Sequence, residues 1–138
     1  MHIPAWSIFT LCTELIITAS VYTIIWKSYR SGIFPTSFAT LVLGYEVLFN
    51  VSYMLSRELS SSSAAVYSPY ETGLAIFHGI FSLIMFITLV TFFLAAMRAY
   101  QRGENYFRLH PRLTIAFVIA WGVSIFSGVA LFVNLYLL

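Results

Sequence analysis

The stretch from Glu71 to Arg98 reads ETGLAIFHGIFSLIMFITLVTFFLAAMR, and it decides the fold of this chain. Between its two ends there is no Asp, Glu, Lys or Arg, and His78 is the only ionisable side chain. A run of about 20 apolar residues is long enough to cross a bilayer as a helix. The stretch therefore predicts a transmembrane helix that carries one titratable group near its start.

The composition of the whole chain also indicates a membrane protein. Of its 138 residues 60% are hydrophobic and only 9% are charged, whereas soluble domains carry about 25% charged residues. We expect one integral membrane domain over residues 1–138, because the chain is too short for two domains of ordinary size. No helix face is basic enough to suit a nucleic acid.

Hydropathy divides the chain into four apolar segments. The predicted fold is all-α, a bundle of four transmembrane helices at about residues 6–26, 36–55, 73–97 and 113–137. Trp6 and Trp26 lie near the two ends of the first segment, as interfacial anchors do. Pro35 suits the first turn of the second helix. A polar loop with four consecutive serines separates the second helix from the third.

The basic residues predict the orientation of this bundle. Six of the seven Lys and Arg residues fall in the two loops that follow the first and third helices, and only Arg57 lies elsewhere. Basic loops remain in the cytoplasm. We therefore expect both basic loops to be cytoplasmic, the N and C termini to be outside, and the protein to be a multi-pass component of the cell (plasma) membrane.

Three ionisable side chains, Glu14, Glu46 and His78, are expected to lie at one depth. At about 1.5 Å per residue, each lies roughly 9–14 Å from the outer end of its helix. A charged residue at the centre of a membrane helix costs roughly 2.5–3.5 kcal/mol and faces the bundle interior. Other polar residues fall near the same level. The predicted polar layer consists of Glu14, Glu46, Asn50, His78, Ser124 and Ser127.

Several roles for this layer remain open. Its members could be structural hydrogen-bonding groups, a proton relay, an anchor for a polar group of a partner, or a metal site. Two neighbouring carboxylates cannot both be ionised without a large cost. Glu14, Glu46 and His78 are the candidate metal ligands, although they come from three helices and lack the spacing of a known motif. A copper site could also include the side chains of Cys12, His2 and Met54.

The fourth segment carries the remaining candidates. Ser124 and Gly128 form a small-xxx-small pair that lets another helix approach closely, so we assign them to helix packing. His110 and Arg112 precede this helix and are interpreted as interface or capping residues. About 20 helical residues, roughly 30 Å, separate the levels of His78 and His110, so these two histidines cannot ligate one haem.

The second half of the chain resembles a known family. The segment HPRLTIAFVIAWGVSIFSGVALFVNLYL has a His and an Arg at its start, a Trp within the helix and a Ser-Gly pair after it, and His78 lies near the start of the preceding helix. This pattern resembles the CtaM-like family of small four-helix membrane proteins, which is associated with haem-copper cytochrome oxidases and implicated in their maturation. The matching residues are His78, His110, Arg112, Thr114, Trp121, Ser124 and Gly128.

The resemblance implies a non-catalytic accessory subunit or maturation factor of a respiratory haem-copper oxidase complex. Its partners would be membrane lipid and either oxidase subunits or another membrane complex. The sequence assigns no cofactor of its own, and copper or haem would be supplied by the partner or passed to it. The alternative is a membrane protein that itself binds a metal ion or relays protons through the polar layer. An enzyme is the least favoured class, because the sequence has no nucleophile-and-base pattern and no phosphate-binding glycine loop.

Overall fold

The computed structural model describes residues 3, 5–59 and 68–138, and at positions 53, 54 and 56–59 it describes the backbone alone. Over these residues the chain is helical and contains no strand, which confirms the predicted all-α class. The serine loop, His2 and the side chain of Met54 lie outside the described residues. The helices are α1 (Ala5–Ser31), α2 (Thr36–Leu59), α3 (Pro69–Gln101), α4 (Tyr106–Leu109) and α5 (Pro111–Tyr136).

Three of the described helices are long and apolar enough to cross a membrane. They are α1 with 27 residues, α3 with 33 and α5 with 26. The fourth long helix, α2, has 24 residues, and Glu46 and Asn50 interrupt its apolar sequence. The three apolar helices indicate a membrane protein whose surface is suited to contact with lipid.

Helix α3 begins earlier and ends later than the sequence pattern predicts. Its N-terminus is closed by a capping box, in which the Ser68 hydroxyl accepts from the Glu71 N–H and the Glu71 carboxylate accepts from the Ser68 N–H. Pro69 occupies the first turn, where its missing N–H costs nothing. The helix therefore starts at Pro69, one turn before the apolar run itself.

The connections after α1 and after α3 each contain a glycine in the left-handed region, and Lys27, Arg30 and Arg98, predicted in loops, lie in the last turns of the preceding helices. Gly32 follows α1 with φ 73°, and Gly103 follows α3 with φ 77°. The Gly32 N–H donates to the Ser28 carbonyl at 2.9 Å, and the Gly103 N–H donates to the Tyr100 carbonyl at 3.0 Å. Glycine adopts this conformation without the steric cost of a Cβ, so these two positions end the helices sharply.

Helix α5 lies between α1 and α3 and runs antiparallel to both. Ser7 of α1 meets Tyr136 of α5 at 3.2 Å, and further along α1 the Tyr22 hydroxyl donates to the Val118 carbonyl at 2.9 Å. Helix α2 contacts α1 and α3. We call the end of the bundle that holds Ser7 and Tyr136 the termini end, and the opposite end, with both basic loops, the basic end.

The basic end is closed by the short helix α4, which the sequence pattern did not predict. The Asn105 amide, in the loop after α3, donates to the Ser28 carbonyl in the last turns of α1 at 3.0 Å and so joins the loop to that helix. Phe107 of α4 is fully buried, and its ring centroid lies 5.2 Å from that of Phe92. Phe92 in turn stacks on Phe117 at 4.7 Å. Aromatic packing therefore fills the basic end, while polar groups are concentrated nearer the termini end.

Candidate functional site: the polar layer

His78 is held between α3 and α5 by serine hydroxyls. Its Nδ1 lies 2.8 Å from Ser127 Oγ and 3.2 Å from Ser82 Oγ. Ser127 Oγ donates its only proton to the Ser124 carbonyl at 2.6 Å. Ser127 can therefore only accept from His78, which places a proton on Nδ1. Ser82 and Ser124 meet at 3.0 Å and extend the network across the two helices.

Gly128 explains how the imidazole fits between the helices. A Cβ at this position would lie 2.8 Å from His78 Cε1 and 3.3 Å from His78 Nε2. Only a residue without a side chain leaves room for the ring at this distance. Close approach of helices at small residues is a main source of helix association in lipid. The structure thus places His78, Gly128 and Ser124 in one closely packed interface between α3 and α5.

Among the described residues, Glu46 is the carboxyl side chain with the least exposed surface, 3%. Asn50, one turn later on α2, donates to the Glu46 carbonyl oxygen at 2.7 Å and to its Oε2 at 3.3 Å. The other carboxyl oxygen, Oε1, is buried and has no hydrogen-bond partner among the residues that the structure describes. A buried polar atom without a partner is unfavourable. Glu46 is therefore the residue of the polar layer whose hydrogen bonding is incomplete.

Glu14 lies half-buried on α1 and faces the same region. When both carboxyl groups carry a charge, Glu14 and Glu46 repel one another across the α1–α2 interface. The backbone carbonyl of Glu14 accepts from the Thr18 hydroxyl at 2.8 Å, and Thr18 Oγ1 accepts from the Trp121 Nε1–H at 3.3 Å. A hydrogen-bonded connection thus fixes the position of Glu14 in α1 against α5.

The register of α1 against α5 shows how deep the Glu14–Glu46 pair and the His78 network lie in the bundle. Thr18 pairs with Trp121 on the antiparallel helix α5. Moving about one turn toward the termini end along both helices reaches Glu14 on α1 and the segment from Ser124 to Ser127 on α5. The carboxyl pair and the His78 network therefore lie at similar depth in the bundle. They are different in kind, because the described hydrogen bonds of His78 join it to serines and those of Glu46 join it to Asn50.

The arrangement of these side chains does not favour a metal-binding site. Within residues 5–59 and 68–138, no group of three or more His, Cys, Asp and Glu side chains is close enough to hold a metal ion. Glu14 and Glu46 alone could supply two oxygen ligands.

His110 and Arg112 lie at the basic end, away from the layer. His110 is the residue before α5, and its side chain makes no capping hydrogen bond. Its backbone carbonyl instead accepts from the Thr114 N–H at 3.0 Å and from the Thr114 hydroxyl at 2.9 Å. The imidazole packs on the ring of Tyr106, with 4.6 Å between centroids. Arg112 is exposed.

One contact of the site is not evident from the sequence. The Tyr22 hydroxyl reaches α5 beside Gly122, where an added Cβ would lie 3.0 Å from it. In the sequence, the only feature that points to this contact is the small residue Gly122 next to Trp121. Helical periodicity does not show that Gly122 faces α1. The α1–α5 interface therefore has its own glycine, one and a half turns from Gly128.

Comparisons with known proteins find no relative of this chain. No protein-family model, no curated protein sequence and no solved structure matches this chain.

Proposed function

We propose that all four long helices span the membrane, with both basic loops in the cytoplasm and both termini outside. Helix α2 has 24 residues, which extend about 36 Å, more than the ~30 Å hydrocarbon core. It runs beside α1 in the opposite direction, and the Trp6 and Phe49 rings stack 6.2 Å apart. The C-terminal part of α1 contacts the loop after α3 at the basic end, which favours the placement of their basic residues on one side of the membrane.

Labelling of introduced cysteines tests this orientation. In a Cys12→Ser background, we expect Ser62→Cys to react with an impermeant maleimide from outside the cell. Gln101→Cys should react only after the membrane is permeabilised. The reverse pattern would overturn the orientation, and reaction of both cysteines from outside would overturn the four-span arrangement.

We further propose that the protein is a non-catalytic accessory subunit or maturation factor of a respiratory haem-copper oxidase, as the resemblance of its second half implies. The residues that carry the resemblance have packing roles in this structure. His78 fits against Gly128, Trp121 bonds to Thr18, and Ser124 bonds to Ser82. Residues used in this way hold a bundle together, which is what a non-catalytic subunit requires.

The observation that carries the proposal is the unpartnered Oε1 of Glu46. Because the described part of the chain supplies no donor to this buried oxygen, we propose that a proton or a small polar group that enters the bundle completes it when the partner is bound. Helix α2 also presents a stripe of exposed leucines at seven-residue intervals, which gives a partner helix a regular surface. These leucines are Leu41, Leu48 and Leu55, with 70%, 71% and 59% of their surface exposed.

A resident copper or haem group fits this chain poorly. The candidate ligands Glu14, Glu46 and His78 do not form a group of three within the described residues. The imidazole of His78 is engaged by Ser127 and lies against the backbone of Gly128. We therefore derive no step through a bound metal or haem, and in this proposal either group belongs to the partner.

Isolation of the chain from its own membranes tests the proposal. A tagged chain extracted in mild detergent should co-migrate with an oxidase that is identified by its haem absorbance and its subunits. Recovery of the chain alone, or with a complex that contains no haem, would contradict the assignment. Leu48→Trp should release the partner if α2 is the docking helix, while Ile80→Trp, at an exposed position of α3, should not.

A second candidate function is a proton relay through the polar layer, and the proximity of Glu14 and Glu46 favours it. Two carboxyl groups whose charges repel across a helix interface readily share one proton. The relay predicts that the chain alone, reconstituted into vesicles with an internal pH dye, speeds the decay of an imposed pH gradient. Glu46→Gln should abolish this effect. Vesicles that hold the gradient equally with and without the protein would exclude the relay.

A further inference from the structure

A groove of about 460 Å³ lies between α1 and α5 toward the basic end, and all of its lining residues belong to these two helices. Tyr22, Trp26 and Tyr29 form one wall, and Ile115, Val118 and Ile119 form most of the other. Trp26 and Ile119 are each 62% exposed, so the groove opens to the surroundings of the helices. Its apolar lining suits a hydrocarbon chain.

Two arginines stand at the basic end of this groove, and each is positioned by a ring that lines it. The Arg30 guanidinium lies 5.6 Å from the centroid of the Trp26 ring, and the Arg108 guanidinium lies 5.7 Å from that of Tyr29. Arg108 Nη2 also donates to the Arg30 carbonyl at 2.7 Å. Both arginine side chains are therefore fixed beside rings that line the groove, at its basic end.

Neither guanidinium is neutralised within the described part of the chain. There the only ion pair joins Arg102 to Glu104 at 3.7 Å, in the loop after α3. Arginine binds phosphate oxygens in a two-pronged geometry, and basic pockets between membrane helices bind acidic headgroups. Two arginines next to an apolar groove match a molecule with one phosphate and a hydrocarbon chain.

We propose that this groove is a specific binding site for one anionic phospholipid. One acyl chain lies in the groove between α1 and α5, and the phosphate contacts Arg30 and Arg108. A zwitterionic lipid such as phosphatidylcholine binds more weakly, because its ammonium group lies near two guanidinium groups. The site joins the ends of α1, α4 and α5 and is independent of the polar layer and of the proposed oxidase partner.

Native mass spectrometry of the purified full-length chain in detergent tests this site. Phosphatidylglycerol and phosphatidylcholine are titrated separately, and the population that carries one lipid is measured. We expect phosphatidylglycerol to bind more tightly. In the double variant Arg30→Gln/Arg108→Gln its apparent Kd should rise roughly tenfold or more, since each basic group near the headgroup favours an acidic lipid. Equal binding of the two lipids by the unmodified chain would overturn the proposal.

Matched variants show whether lipid affinity depends on this site or only on the total charge and surface shape of the protein. Arg98→Gln/Arg102→Gln removes two charges from α3 and its loop and should leave the lipid affinity unchanged. Ile119→Trp should block the groove and weaken binding, whereas Ile80→Trp, on a lipid-facing surface of α3, should not. Equal loss of binding in the two arginine pairs, or full affinity in Ile119→Trp, would contradict a defined site.

Discussion

The α3–α5 interface and the α1–α2 carboxyl pair both bury polar groups at similar depth, but they differ in completeness. In the first, Ser127 and Ser82 engage Nδ1 of His78, the ring fits against Gly128, and no buried side-chain N or O atom lacks a partner among the described residues. In the second, Glu46 keeps one buried oxygen without a partner among the described residues. Completed networks make a helix interface rigid, whereas an incomplete one leaves a place for a further group. The comparison separates the part of the layer that holds the bundle from the part that is available for function.

The largest effect is expected from filling the space beside His78. Gly128→Leu places a side chain where a Cβ alone would lie 2.8 Å from His78 Cε1, so α5 must move away from α3. Overpacking of this kind costs typically about 1–3 kcal/mol and occasionally more, and close helix contacts at small residues are where membrane helices associate. Thermal unfolding in detergent should show a large loss of stability or a failure to accumulate folded protein.

Gly79→Leu is the matched control for this variant, because a Cβ at Gly79 of α3 would meet nothing within 4 Å. It should leave the unfolding temperature close to that of the unmodified chain. Similar stability of the two leucine variants would show that the His78–Gly128 contact does not hold α3 against α5.

A smaller effect is expected from removing one hydrogen bond of the completed network. Ser127→Ala takes away the acceptor 2.8 Å from His78 Nδ1, and hydrogen bonds between membrane helices contribute on average about 0.6 kcal/mol, at most about 1.7. Ser20→Ala is the control, since Ser20 bonds only to the carbonyl of Ile16 in its own helix. An equal effect of both variants on unfolding in detergent would contradict a special role of the network.

The smallest effect on stability is expected from a substitution of Glu46, whose hydrogen bonding is incomplete. Glu46→Gln preserves the shape of the side chain and removes its ability to become charged, so the free energy of unfolding should change by less than about 1 kcal/mol or increase. Glu104→Gln, at an exposed loop position, is the control for loss of a carboxylate. A destabilisation of Glu46→Gln as large as that of Gly128→Leu would mean that the charge of Glu46 holds the bundle together.

The local part of this fold can be predicted from the sequence. The charge-free run between Glu71 and Arg98 predicts helix α3, and Ser68 with Glu71 carries the capping-box spacing that explains its earlier start. Helical periodicity places Asn50 one turn from Glu46, and the two side chains do meet. Such features depend on residues a few positions apart, so the sequence shows them directly.

The contacts between helices are not visible in the sequence. Periodicity assigns polar faces but does not decide which faces meet. It does not show that His78 is engaged by serines of α3 and α5, while the carboxyl group of Glu46 is bonded by Asn50 of its own helix. Helix α4 is too short to have a period, and its formation depends on the burial of Phe107 against other helices. These features arise from long-range packing.

The double variant Glu14→Gln/Glu46→Gln gives the most direct test of the difference between the two regions. It keeps hydrogen-bonding side chains at both positions and removes both charges. The measurement is oxidase activity of native membranes, with the amount of chain and its co-migration with the oxidase determined in the same samples. We predict a folded chain that co-migrates normally while activity is lost. Normal activity with normal assembly would contradict the central claim and reduce the carboxyl pair to a structural role.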